Sequence, residues 1–237
     1  MGKLIILGTT IGNVEDISIR ALRHIFESQV VLAEDTRVFI KFKNILKDRY
    51  LDTLESLEIN IDTKQNIHSY REQNHDRVVK DILEQLKDED VAIATDAGMP
   101  GISDPGFKLI RDVIEAGFEI DVVPGPTAVT SAFVLSGLPT DYYSFVGFLP
   151  RKKSKIQKLL DNYNLEQTSL IVYESPFRVI KSLEILKELY GDDLSVSAVG
   201  EITKKFQRVE RGKVAEVISN FRKQAPKGEW VIVIRKL

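Results

Sequence analysis

The chain has 237 residues, 43% hydrophobic and 29% charged, with a formal net charge of −2, which is enough for one large domain or two small ones with proper cores. It contains no cysteine, which excludes disulfides, thiolate nucleophiles and cysteine-ligated zinc, and its three scattered histidines (His24, His68, His75) have no H-x-x-x-H spacing, so no metal site is expected. The near-neutral balance gives no global pull toward nucleic acid, so RNA binding would have to come from local basic patches.

Mean hydropathy is −0.11, and no apolar run reaches the roughly 18 residues that cross a bilayer. The run Leu4–Leu7 behind Met1-Gly2-Lys3 is too short for a secretory signal and lacks a cleavage site, so it reads as a buried strand in a cytoplasmic protein. Val30–Ala33 is a second strand. Arg77–Leu86 places Val78, Val79, Ile82, Leu83 and Leu86 on one helical stripe, and Val91–Thr95 follows as a strand. Phe107–Ala116 is helical, ended by Gly117, and Ile120–Val123 is a further strand. Strands alternating with helices predict an α/β layer with a mostly parallel sheet.

After Pro124-Gly125-Pro126 and the helix Val129–Ser136 the rhythm changes. Strands are expected at Ser169–Tyr173, Val196–Val199, Phe206–Glu210 and Trp230–Ile234, with helices at Lys155–Asn162, Arg178–Leu189 and Val214–Arg222. This pattern predicts two α/β domains, residues 1–123 and 124–237. No flexible linker separates the halves, so one continuous domain is the alternative.

Four clusters stand at strand ends. Gly8-Thr9-Thr10-Ile11-Gly12-Asn13 lets a ligand approach the backbone, but it is neither G-x-G-x-x-G nor a Walker A loop, and an ordinary strand-to-helix turn explains it equally well. Glu34-Asp35-Thr36-Arg37 could orient a hydroxyl or take its proton; equally, Asp35 could cap a helix with Arg37 as its ion-pair partner. Thr95–Gly106 is more specific, with three glycines, two prolines and two aspartates in twelve residues. Such a loop costs stability unless a particular backbone path is needed, and Asp96 sits where α/β sheets bind ligands. Its carboxylate could accept from ribose hydroxyls or an amino group. In Val122–Ala128, free N–H groups at the following helix start could hold an adenine edge or a carboxylate, although a rigid corner would look the same.

These four clusters together resemble the tetrapyrrole methylase-like superfamily. Ser136–Thr140, Gly147–Pro150, Glu174-Ser175-Pro176-Phe177-Arg178, Glu201–Phe206 and Lys227-Gly228-Glu229 narrow the resemblance to its 16S rRNA cytidine 2'-O-methyltransferases, and the motifs run in order over nearly the whole chain. The resemblance implies two α/β domains with an S-adenosylmethionine site in the cleft between them, no metal, and a homodimer. It implies donor contacts at Leu7, Asp96, Gly98, Met99, Ser103, Thr127 and Ala128, closed by Tyr173 and Gly228. The family often has Gly-Thr-Pro where Thr10 stands, threonine at Met99 and histidine at Phe177. The last change makes that position a poor acid–base group.

Methyl transfer to a ribose hydroxyl needs a base, or a cation that eases ionisation. The catalytic candidates are Glu34, Asp35, Arg37 and Lys204. RNA phosphates are expected at Arg151, Lys152, Lys153, Lys155, Arg178 and Lys205, on patches that also include Lys158, Arg208, Arg211 and Lys213. The expected partner is small-subunit rRNA within an assembled or partly assembled 30S subunit. The rivals are a tetrapyrrole C-methyltransferase and a non-catalytic ribosome-assembly factor.

Overall fold

The computed structural model describes residues 1–237, which divide into two compact units, Met1–Thr127 and Ala128–Leu237. The sequence places the boundary after residue 123. The intervening Pro124–Thr127 turn stays with the first unit, where Gly125 packs on Gly8.

In the first unit, β1 (Lys3–Leu7), β2 (Val30–Ala33), β3 (Asn66–Ser69), β4 (Val91–Ala94) and β5 (Glu119–Val123) form a sheet in the order β3-β2-β4-β1-β5. Every pairing is parallel. The central strands β1, β2 and β4 are buried almost throughout, as expected of a parallel sheet covered on both faces. The helices are α1 (Ile19–Glu27), α2 (Thr36–Ser56), α3 (His75–Gln85) and α4 (Phe107–Glu115). One core holds Leu7, Phe26, Phe39 and Leu46, and the other holds Leu4, Leu32, Leu86 and Leu109. Ser18 caps α1 by accepting the Ala21 N–H, and Asp35 caps α2 by accepting the Arg37 N–H. Neither helix is among the elements expected from periodicity. In α2 only Phe39, Leu46 and Leu54 are buried over 21 residues, and the helix is broken at Tyr50. The edge strand β3 has no buried residue, so it too lacks an apolar signal.

The second unit contains α5 (Ala128–Ser136), β6 (Tyr143–Phe148), α6 (Lys153–Leu160), β7 (Ser169–Glu174), α7 (Val179–Tyr190), β8 (Leu194–Gly200), β9 (Arg208–Lys213), α8 (Val214–Lys223) and β10 (Trp230–Lys236). Its sheet order is β6-β7-β10-β8-β9. Only β6 and β7 run parallel; the other pairings are antiparallel. Gly147 lies inside β6, where the register with β7 shifts between Phe145 and Phe148. The strand expected from Phe206 begins at Arg208, because the Lys204 N–H donates to Glu201 O and the Gln207 N–H to Lys204 O, winding the preceding segment into a turn.

Candidate active site

Because β2, β4 and β1 are parallel neighbours, the sheet sets Glu34, Asp96 and Gly8 side by side at its carboxyl edge, where open α/β sheets bind ligands. Three strand-end loops are stitched together there. The Thr9 N–H donates to Gly98 O at 2.9 Å, and the Gly98 N–H to Thr10 O at 3.2 Å. A Cβ at Gly8 would stand 2.5 Å from the Gly125 nitrogen and 2.6 Å from the Met99 sulfur, so only glycine permits this approach. The Gly125 N–H points at the Met99 sulfur at 3.3 Å. The Met99 side chain therefore plugs the loop junction, which leaves its main chain for a ligand. Leu7 is similar, with its side chain fully buried in the core.

The Asp96 carboxylate accepts the Asp35 N–H at 3.3 Å, and the Glu34 carboxylate accepts the Asp96 N–H at 3.4 Å. Partial burial pushes the Asp96 carboxyl above its ordinary pKa, against the Asp35 N–H; the Asp35 charge raises it further and Arg71 opposes. Asp35 behaves oppositely. The Arg37 guanidinium donates to both its oxygens, at 3.1 and 2.7 Å, and holds it well below the usual carboxylate range. Asp35 is thus both the α2 cap and an ion-pair partner, and a weak proton acceptor. Arg71, not among the residues expected from sequence, donates to Glu34 O at 3.1 Å and lies 3.6 Å from the Asp35 carboxylate. Its only signal is the polar run Arg71–Asn74 behind an edge strand.

Asp96–Gly106 folds on itself. The Gly101 N–H donates to Pro105 O at 3.1 Å, and the Gly106 N–H to Glu72 Oε1 at 3.0 Å. Exposed Ser103 is held at φ +64, a strained conformation for a residue with a side chain.

The second unit holds the remaining candidates. Lys204 Nζ lies 3.1 Å from the Glu201 carboxylate and 2.9 Å from that of Glu229. Burial lowers its pKa, but the hydrogen bonds to Glu229 and Glu201 outweigh this and hold it above the ordinary lysine value. Lys204 is therefore a fixed cation and not a base at neutral pH. Gly228 is locked beside this node: at φ +68, a Cβ there would stand 2.1 Å from Glu201 Oε1. Tyr173 packs edge-on against Phe145 and Phe148, with centroids 4.8 and 5.7 Å away. Arg178 is committed internally. It lies 3.3 Å from the fully buried Glu174 carboxylate and donates to Leu149 O at 2.7 Å. Arg151, Lys152 and Lys155 are exposed. Lys153 pairs with Glu188 at 2.6 Å at the surface, and Lys205 lies over the exposed Phe206 ring at 5.6 Å. No group of three or more His, Asp or Glu side chains is placed to hold a metal ion.

The family model of Tetrapyrrole (Corrin/Porphyrin) Methylases matches residues 3–218. The ribosomal RNA small subunit methyltransferase I of Thermotoga maritima is 43% identical over 235 residues, covering 99% of this chain and 98% of that protein. The protein of the same name from a Hydrogenobaculum species is 37% identical, covering 99% and 96%. Among solved structures, uroporphyrin-III C-methyltransferase from Thermus thermophilus, complexed with S-adenosyl homocysteine, superposes with a TM-score of 0.62 at 16% identity, covering 98% of this chain and 97% of that one, which is a likeness of fold.

Proposed function

We infer that the chain, which belongs to the tetrapyrrole methylase family and within it to the ribosomal RNA small subunit methyltransferase I family, transfers the methyl group of S-adenosylmethionine to the 2'-hydroxyl of a cytidine in 16S rRNA. The observation that carries this reading is the Glu34–Asp35–Asp96 constellation beside the bare Gly8–Gly125 backbone at the sheet's carboxyl edge. A raised, exposed carboxyl at a strand end suits the amino group or ribose hydroxyls of the donor, and the glycine backbone admits close approach. The donor, when bound, supplies an electrophilic methyl carbon on a sulfonium.

In this reading Asp96 anchors the donor, with Gly98, Ser103, Thr127 and Ala128 and the main chain of Leu7 and Met99 as further contacts. Tyr173 and Gly228 are the donor contacts assigned to the second unit. The ribose hydroxyl must lose its proton as its oxygen attacks the methyl carbon, while the methyl–sulfur bond breaks and its electron pair leaves with neutral S-adenosylhomocysteine. Asp35 is tied to Arg37 and Lys204 keeps its proton, so Glu34 is the base assigned here, with Lys204 as the cation that eases ionisation. Arg151, Lys152, Lys155 and Lys205 meet RNA phosphates; Lys153 joins them by releasing a surface ion pair of little strength. Arg178 supports that surface from within. A net charge of −2 lacks a broad positive field, so an assembled or partly assembled small subunit supplies the shape that completes recognition. The proposed assembly is a homodimer, and the proposed location is the cytoplasm.

The test is incubation of unmodified small subunits, their naked rRNA and a uroporphyrinogen with labelled donor. Label in the subunits, recovered as 2'-O-methylcytidine, is expected. Label confined to the tetrapyrrole, or donor binding without any transfer, overturns the reading.

A further inference from the structure

One cleft of the second unit has no part in the methyl transfer above, although Arg151, assigned there to RNA phosphate, stands at its rim. It has a volume of about 420 Å³ and is lined by Pro150, Arg151, Ile156, Phe177, Lys181 and Ile185 among others, within the roughly 300–1,000 Å³ of small-ligand sites. We propose that this cleft binds one unpaired nucleotide of the RNA substrate, its base stacked on Phe177 and its phosphates met by Arg151 and Lys181. The identity of the nucleic acid rests on the function inferred above; the cleft's chemistry does not.

Three observations carry the assignment. Phe177 is 96% exposed, the most exposed aromatic side chain of the protein, although nothing in the fold benefits from such a ring in water. It is nonetheless held in place. The Arg178 and Val179 N–H groups both donate to Ser175 O, at 2.9 and 3.1 Å, and the Arg178 side chain is clamped by Glu174 and by Leu149 O. The ring is therefore presented from a rigid strand-to-helix corner, at small entropic cost to a binding partner. Arg178 also donates to the carbonyl of Pro150, which lines the same cleft, at 3.3 Å, and this makes Arg178 a positioning residue here.

The second observation is charge. No carboxylate lines this cleft, while Arg151 and Lys181 are exposed at its rim without an ion-pair partner. A second groove of similar size in this unit is lined by Glu184 and Glu188; its Arg222 pairs with Glu184 at 2.7 Å and its Lys187 with Asp192 at 2.9 Å, so its cations are neutralised locally. Of these two grooves, the Phe177 cleft is the one that offers unpaired positive charge to an anion. The third is the apolar floor, where Ile156 is 1% exposed and Ile185 packs against the core. An aromatic platform, an apolar floor and rim cations without acidic neighbours suit a splayed-out base with its backbone phosphates, the usual mode of single-stranded RNA recognition.

Fluorescence anisotropy with a labelled single-stranded RNA of about ten nucleotides reads the cleft without any methyl transfer. Phe177→Ala should weaken binding at least about fivefold and Phe177→Trp should restore it, since stacking is sequence-tolerant and needs only a π-face. Arg151→Ala and Lys181→Ala should each lower the log–log salt slope by about 0.7. An RNA duplex should bind no differently to wild type and Phe177→Ala. Equal affinity of wild type and Phe177→Ala for the single strand, or no binding by wild type, overturns the proposal even where small subunits are methylated. Phe177-dependent RNA binding without subunit methylation leaves the cleft assigned and removes the inferred reaction.

Discussion

Asp96 accepts the main-chain N–H of Asp35 at 3.3 Å, so the carboxylate proposed for donor binding also spans the gap between the ends of β4 and β2. The Glu34 carboxylate returns the contact to the Asp96 N–H. Two neighbouring strand ends, far apart in sequence, are thereby bound into one acidic surface that can meet a ligand as a unit.

Replacing Asp96 separates the donor's needs from the fold's. Partial burial raises the Asp96 pKa, so the folded state holds that proton more tightly than the unfolded chain, and stability falls as pH rises from the ordinary aspartate value through the raised one. Asp96→Asn should therefore leave the thermal midpoint at neutral pH unchanged or slightly raised. Loss of the charge-assisted contact, worth about 1.5–3 kcal/mol, should weaken S-adenosylmethionine at least about tenfold in calorimetry. Wild-type affinity should also decline as pH drops through the raised pKa. An Asn variant with undiminished affinity would remove Asp96 from the donor site.

Gly8→Ala tests the loop junction. The new methyl group would meet the Gly125 nitrogen at 2.5 Å, which is main chain and cannot swing aside. Overpacking of this kind costs about 1–3 kcal/mol, to be read by urea unfolding. Met99→Ala should not rescue it, since the sulfur is only the second obstacle. Full rescue would show that Met99, and not the apposed backbones, sets the constraint.

The sequence made the central strands legible because Leu4–Leu7, Val30–Ala33 and Val91–Ala94 are continuous apolar runs, the mark of strands covered on both faces. It concealed α2 and β3, whose exposed polar residues carry almost no period. Candidate residues were legible where loop composition was unusual, as at Asp96–Gly106. Their partners were not: Arg71 reaches Asp35 only because β3 pairs beside β2, and Glu229 reaches Lys204 only because β10 pairs with β8. Such pairings are made by strand order, which no local pattern contains. Glu174–Arg178 shows the converse, a motif whose charges turn inward.

That inward pair predicts a stability cost. In Arg178→Ala the fully buried Glu174 carboxylate would keep only the Ser182 hydroxyl, now at 2.6 Å, and the Ser175 N–H as partners. Breaking a buried pair costs roughly 3–5 kcal/mol, and the 28% exposure of Arg178 places the loss near the lower end, about 3 kcal/mol. Urea unfolding should read this loss, and Arg178→Lys, which keeps a cation beside Glu174 but not the fork that reaches Leu149 O, should recover only part of it. Wild-type stability in Arg178→Ala would mean that the buried Glu174 carboxylate does not depend on this partner.

Lys204 is the sharpest test of the chemistry. Its ammonium is held between Glu201 and Glu229, and its raised pKa keeps it protonated throughout the neutral range. The stability linked to that proton persists until pH climbs through the raised value, above the ordinary lysine pKa of about 10.4, so it cannot shape the pH–rate profile near neutrality. The rising limb of that profile should instead follow a carboxylate, and it should survive in Lys204→Arg. Removing the positive charge with Lys204→Met should slow single-turnover transfer to small subunits about 100-fold or more, the usual cost of losing a donor aimed at a developing oxyanion. Donor affinity should stay near wild type if the cation acts on the acceptor oxygen, the role proposed for it. Glu201→Gln, which loosens the clamp but keeps the ammonium, should fall between the two. A Lys204→Met variant that loses donor affinity in step with rate would make Lys204 a structural tie for the Gly228 loop, and one with an unaltered rate would leave the ionisation of the hydroxyl to the carboxylates alone.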